Sequence, residues 1–296
     1  MPKEQKIEIG ALNITIHPHP SPEIYIDLFK YAFSLKHQVQ LWGEIHGILR
    51  SVYAPDKKES FELLTGEITR FIKLKTDNPW FDLDKFDEAD EEECQKIRIP
   101  ENLRPNYFHI DYKLWPQKHI IFFETYHETP KLSPAMALRF FRRLFSHEKI
   151  IKKFGIVETT IIPQKEIVES ILDSDGLKEL HILITRPNAD DLADAERELL
   201  DDLNNQHSKE LRISQKAQSG KTIQPSQRTK ILGRIASKNG VLSAKVRNDI
   251  GGVSPISTVD HPETKGVKYN PATETSTEAF RRAINLMCPP PMETNQ

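Results

Sequence analysis

Between residues 7 and 16 the apolar side chains alternate, Ile7 and Ile9 in one phase and Leu12, Ile14 and Ile16 in the other. A period of two is that of a β-strand, and the slip at Gly10-Ala11 predicts a bulge there. The spacing then lengthens. Ile24, Leu28, Tyr31 and Leu35 recur at helical intervals behind Ser21-Pro22-Glu23, which supplies an N-cap, a proline suited to the first turn and a carboxylate for the positive helix end. Strand patterns return at 43–53 and 61–75 about the turn signal Pro55-Asp56, and again at 107–114 and 119–126. Ser133-Pro134 opens a second helix, on which Met136, Phe140, Phe141, Leu144 and Phe145 form a broad apolar face, and Gly155 closes the segment.

Beyond Gly155 the pattern predicts a strand at 157–162, a helix at 164–172 and a strand at 180–185, which together resemble one βαβ unit. A helix over 190–203 with Leu192, Ala195, Leu199 and Leu200 inward, a strand at 210–214, a helix over 226–238 closed by Asn239-Gly240 and a strand at 241–246 continue the alternation. The chain then reads as extended to about Pro271 and as helical around Phe280, Ile284 and Met287. The expected fold class is α+β in two parts. Residues 1–154 form an N-terminal antiparallel sheet with helices and an acidic loop at 77–93; residues 155–250 form a ferredoxin-like sheet-and-helix domain; residues 251–296 follow as an extended segment and C-terminal helix.

Composition narrows the function classes. The 296 residues carry 41 Lys or Arg against 43 Asp or Glu, a formal net charge of -2, so an anionic partner must be met by a local patch. With 38% hydrophobic residues the chain can bury a core. Only 12 glycines and no fixed-period repeat argue against glycine-rich phosphate loops and solenoids. No apolar run approaches the ~20 residues of a membrane-spanning helix, and Met1-Pro2-Lys3-Glu4-Gln5-Lys6 lacks the apolar stretch of a secretory signal. A cytoplasmic protein is expected. Cys94 and Cys288 have neither disulfide-framework nor zinc-ligand spacing.

Several short stretches carry a resemblance: 99–106 (Ile-Pro-Glu-Asn-Leu-Arg-Pro-Asn), Phe122-Phe123 beyond Lys118-His119, and Thr185-Arg186-Pro187-Asn188 followed by Asp190-Asp191-Leu192. Asn78-Pro79-Trp80-Phe81 and Asp260-His261-Pro262 extend it. As a set these resemble the bacterial family catalogued as domain of unknown function 4747, over nearly the whole chain. More distantly, the layout of the second half, with a basic helix and Gly240-Val241-Leu242-Ser243-Ala244, is similar to the phage-exclusion protein RexA. That resemblance implies a role in antiphage defence and DNA binding by a homodimer.

The strongest local signal is charge. From residue 209 to residue 247 ten cations, Lys209, Arg212, Lys216, Lys221, Arg228, Lys230, Arg234, Lys238, Lys245 and Arg247, stand against the single carboxylate Glu210. Lys230, Arg234 and Lys238 lie four apart on one helix and form a stripe, with Ile231 and Ile235 expected to pack inward. Phosphates are the natural ligand of such a stripe, and Ser214, Ser219, Thr222, Gln224 and Gln227 add neutral hydrogen-bonding groups suited to backbone contacts. The competing reading is a solvated face whose late cations complement the helix C-terminus. The acidic run from Asp82 to Glu93 reads as a solvated loop rather than a nucleic-acid mimic that covers the patch.

Other constellations carry less. A Mg²⁺-dependent nuclease would need clustered carboxylates and a lysine, for which Asp56 and Asp111-Tyr112-Lys113 are the available set. His17 and His19 each precede proline with no third ligand, and Asp260-His261 lacks a nucleophile. Phe140, Phe141 and Phe145 repeat at helical spacing and read as core. The sequence therefore points to a nucleic-acid-binding protein, most simply of double-stranded DNA, that acts as a homodimer beside a co-encoded effector, with no catalytic residues, metal or cofactor assigned. A Mg²⁺-dependent nuclease and a pure protein-interaction module are the alternatives.

Overall fold

The computed structural model describes residues 3–18, 21–54, 63–74, 79–98, 100–188, 194–248 and 251–287. The turn Pro55-Asp56, His19, Asn78, Ile99, the Asp190-Asp191-Leu192 stretch and Cys288 lie outside the described residues. In chain order the first part holds β1 (Gln5–His17), α1 (Glu23–Ser34), β2 (Val39–Trp42), β3 (Ile45–Tyr53), β4 (Leu64–Ile72), the short pair β5 (Phe81–Asp82) and β6 (Asp87–Glu88), and α2 (Glu91–Cys94). It continues with β7 (Phe108–Trp115), β8 (Ile120–His127), β9 (Thr129–Pro130), α3 (Pro134–Phe145), α4 (Glu148–Phe154) and β10 (Ile156–Ile161). The second part adds α5 (Lys165–Leu172), β11 (Leu177–Thr185), α6 (Asp194–Asn205), β12 (Glu210–Lys216), α7 (Gln227–Asn239), β13 (Gly240–Arg247), β14 (Val253–Ser257), β15 (Thr264–Tyr269) and α8 (Ser276–Met287).

β1 organises the larger sheet. One of its edges pairs with β8, while the other is shared end to end by β15, along Gln5 to Gly10, and β10, along Leu12 to His17. The sheet continues β8-β7-β4-β3-β2, antiparallel throughout, and curls around its helices. The apolar slip at Gly10-Ala11 is not a bulge at that point. Odd residues Ile7, Ile9 and Ala11 belong to the core under α8, with Phe280, Ala283 and Ile284, whereas even residues Leu12, Ile14 and Ile16 belong to the core under α1, α3 and α4. The strand alternates regularly and changes the face that it buries. The register shift lies two residues earlier, between Glu8 and Ile9, where Thr125 of β8 is the extra residue.

The helices follow their local signals with one exception. Ser133 caps α3 by accepting from the Met136 N–H at 3.3 Å, and Pro134 takes the first position. At α1, Pro22 occupies the cap position and Ser21 makes no cap bond, so the expected start is displaced by one residue. Phe140, Phe141 and Phe145 are fully buried; Phe141 and Phe145 pack against Phe29 of α1 with ring centroids 5.9 and 5.5 Å apart, and Phe140 packs against Phe141 at 5.1 Å. The acidic stretch forms the exposed β5–β6 pair and α2, with Lys85 bridging Asp82, Asp90 and Glu93.

Two expectations for the second half need correction. The strand at 156–161, grouped with residues 155–250 on sequence, pairs with β1 in the large sheet, so it and β11 do not make a βαβ unit. The second sheet is antiparallel with the order β12-β11-β13-β14; the consecutive strands β11 and β12 pair directly, with no strand between them as a split βαβ unit has, so the ferredoxin-like layout is not confirmed. One face of this sheet, through Leu180, Ile182, Ile184, Leu242 and Ala244, packs on α5, α6 and α7. The segment expected to be merely extended carries β14 on the second sheet and β15 on the first, and so ties the two together. Among the described residues no helix is long and apolar enough to cross a membrane.

Candidate functional site

The ten cations do not form one patch. The register of the second sheet puts Arg212 and Lys216 of β12 and Lys245 and Arg247 of β13 on the face away from the helices, together with His181, Ser214 and Ser243. All four cations are exposed. The carboxylates on this face are Glu210, which accepts from Arg212 at 2.7 Å, and Glu179, which lies between Lys245 at 2.9 Å and Lys216 at 3.7 Å. The hydrogen bond from Lys245 holds the Glu179 carboxyl below its ordinary range. Arg247 has no carboxylate within 4 Å among the described residues, nor do Lys221 and Arg228 in the loop and helix start that follow β12. Lys209, just before β12, lies 3.9 Å from Glu158 of the first sheet.

The helical stripe is on the opposite side of that sheet and is already neutralised. Arg234 makes a two-pronged contact to Glu169 of α5 at 2.8 and 2.7 Å, Lys230 bonds Asp173 at 2.5 Å, and Lys238 lies 3.4 Å from the buried Glu196. These pairs join α7 to α5 and α6. Ile235 is buried as expected, but Ile231 is 42% exposed, because Leu232, Gly233 and Ala236 take the inward positions. Four-residue spacing made the stripe visible in the sequence; the carboxylates that meet it lie 42–65 residues away and were not.

A second constellation lies on the α8 side of the large sheet. Asp111 and Lys113 of β7 share a face, and Asp111 sits directly opposite Glu67 of β4. Glu124 of β8 joins them by accepting from the Asp111 backbone N–H at 3.3 Å. Its other oxygen is 3.4 Å from His127 Nδ1, whose Nε2 is 2.9 Å from the Tyr269 hydroxyl. Arg50 pairs with Glu67. Burial, reinforced by Asp111, pushes the Glu124 carboxyl up to about 7, and burial with Glu67 nearby raises Asp111. Lys113 is 7% exposed; burial lowers its amine below the usual lysine range, with Arg281 adding to the effect, and its Nζ sits 5.5 Å from the Phe280 ring centre. Sequence reasoning found Asp111 and Lys113 but missed Glu67 and Glu124, which only strand pairing brings alongside. Among the described residues no group of three or more His, Cys, Asp or Glu is placed to hold a metal ion. His17 ends β1, and its Nε2 is 3.0 Å from the Arg186 carbonyl.

A family model described as a domain of unknown function, DUF4747, matches residues 5–285. The chain belongs to that family. No curated protein matches the chain. In this DUF4747 fold the stretches that carried the resemblance have structural places. Residues 100–106 form a turn in which Arg104 donates to the Glu101 carbonyl, and Pro105 accepts from the Ile72 N–H at the end of β4. Phe122 and Phe123 fill the two cores on opposite faces of the sheet. Lys118-His119 and Pro187-Asn188 line one cleft between the two sheets.

Two outcomes follow from these environments. Because the folded Glu124 pKa is raised, its stabilising share is full below the ordinary carboxyl range and is lost as pH rises through about 7. Glu124→Gln should therefore gain stability over wild type by ~2–3 kcal/mol between pH 5 and pH 8, measured by urea unfolding at both values; an equal difference at both would refute the assignment. Reversing Lys230, Arg234 and Lys238 to Glu places like charges against Asp173, Glu169 and Glu196, so the melting midpoint should fall. Reversing Lys221 and Arg228 should leave it unchanged.

Proposed function

We propose that this protein binds nucleic acid with little sequence preference through the open face of its second sheet. The observation that carries this reading is the convergence of Arg212, Lys216, Lys245 and Arg247 on an exposed sheet face that holds two carboxylates. No aromatic side chain stands among the strand residues of that face, so stacking on bases is not its mode; cations with Ser214, Ser243 and His181 suit phosphate contacts to duplex DNA. The resemblance to RexA adds the rest of the proposal: a cytoplasmic sensor or regulator of the antiphage-defence type, working as a homodimer with a co-encoded effector.

A second reading, phosphodiester hydrolysis assisted by Mg²⁺, is favoured by the register that sets Glu67 opposite Asp111, with Glu124 and Lys113 beside them. The Asp56 of the earlier set lies outside the described residues.

One set of measurements separates the two. With about four phosphates engaged, log affinity for duplex DNA should fall against log salt with a slope of roughly -3 to -4. Arg212→Glu with Arg247→Glu should weaken binding at least tenfold and flatten that slope. Absence of binding at low salt, or wild-type binding by the double variant, would refute the sheet-face reading. Mg²⁺-dependent cleavage that disappears in both Asp111→Ala and Lys113→Ala would establish the second.

A further inference from the structure

We infer that the cleft between the two sheets binds a small organic phosphate of nucleoside-monophosphate size. The cleft has a volume of about 460 Å³, within the range of small-molecule sites. The first sheet supplies Asn13 and Ile120; the first turn of α5, the end of α7 and the residues after β11 supply the facing wall.

Two places on its wall, Asn239 and the start of α5, offer donors to an anion. Asn239 is 7% exposed; its side-chain oxygen accepts from Asn13 Nδ2 at 3.3 Å, while its amide N–H groups meet no acceptor among the described residues. The amide nitrogen is open to the cleft, where a ligand oxygen would accept from it. Lys165, the first residue of α5, lines the same cleft with no carboxylate within 4 Å among the described residues. The α5 N-terminus also has no side-chain cap, which leaves first-turn N–H groups and the positive helix end available to an anion. Of the other cations that line the cleft, Arg234 pairs with Glu169 and Lys238 with Glu196, and Lys118 comes from the first sheet's side. An amide, an ammonium and a helix N-terminus are the donor set that a tetrahedral phosphate with several free oxygens satisfies.

Part of the wall is apolar. Ile120, Ile162, Val168 and Pro187 offer apolar contact to a ring. Inorganic phosphate would leave that surface wet, whereas a nucleoside body covers it. This site is on the helix side of the second sheet, away from the face proposed for nucleic acid, and does not depend on that proposal.

Calorimetric titration of the full chain with the four ribonucleoside 5′-monophosphates, the corresponding nucleosides and inorganic phosphate tests the assignment. At least one monophosphate should bind, and at least tenfold more tightly than its nucleoside or inorganic phosphate. Lys165→Glu, at an exposed position that folding tolerates, and the near-isosteric Asn239→Asp should each weaken it tenfold or more. Arg212→Glu with Arg247→Glu should bind the monophosphate as wild type does while losing duplex DNA, so failure at one site is distinguishable from failure at the other. No binding by any monophosphate, equal binding of inorganic phosphate, or wild-type affinity in both cleft variants would overturn the inference.

Discussion

Everything in the larger sheet depends on β1 having both edges and both faces occupied. A strand buried on two faces must be apolar at nearly every position, yet β1 changes its buried face partway, and so it reads as two half-strands of opposite phase. Its first half lies between β8 and β15 beneath α8, and its second half runs along β10, with β8 beside it as far as Asn13, beneath α1 and α3. Gly10 stands at the changeover, where an added Cβ would come within 2.8 Å of the Phe123 ring. The two strands that complete β1's outer edge come from residues 156–161 and 264–269. The large sheet therefore cannot close until most of the second sheet's chain has been threaded between them, and the parts are coupled by topology rather than by a linker.

That coupling explains where the charges go. Helix α7 presents its cations to α5 and α6 because its apolar side is taken by the second sheet, and the nearest carboxylates, Glu169, Asp173 and Glu196, meet them there. Exposed pairs of this kind contribute little each, but they remove the stripe as a field source. Among the described residues no helix packs on the opposite face of the sheet to answer it. Cations there are shared across strands, as Glu179 is between Lys216 and Lys245, and their number still exceeds that of the carboxylates. On the large sheet the balance runs the other way: carboxylates from three adjacent strands crowd beside the cover that α8 gives β1, and the crowding raises Glu124 and Asp111.

The sequence made local geometry legible and left pairing hidden. The cap at Ser133, the aromatic face of α3, the strands at 43–53 and 107–126 and the helix after Ser226 were readable because each depends on residues within a turn or two of one another. The phase slip in β1 was readable too, but its cause was not, since a bulge and a change of buried face give the same apolar pattern. Strand β10 looked like the start of a new unit because Gly155 ends α4, with φ at 80°, and nothing local announces a return to β1. The same limit governs the sites. Asp111 and Lys113 share a face by simple alternation, whereas Glu67 and Glu124 join them only through cross-strand register, and the neutralisation of Lys230, Arg234 and Lys238 needs partners that no spacing rule supplies.

The end of α7 is where the two sheets are held against each other. Helix C-termini leave carbonyls without intrahelical partners, and here side chains from both sheets fill that need. Thr160 Oγ1 of β10 and Asn13 Nδ2 of β1 donate to the Lys238 carbonyl at 2.9 and 3.2 Å, and Thr185 Oγ1 of β11 donates to the Asn239 carbonyl at 2.7 Å. Gly240 follows directly, in extended backbone so close to β11 that a Cβ would stand 1.9 Å from the Leu183 carbonyl oxygen. Asn188 repeats the arrangement on the other side, donating to the Ile14 carbonyl and accepting from the Tyr25 hydroxyl of α1. A boundary packed only by apolar side chains could slide; one fixed by backbone carbonyls and buried amides has a single register. At the cleft beside it, the Asn239 side chain is held by Asn13, whose Nδ2 donates to its oxygen, so the amide is positioned by the junction of the two sheets itself.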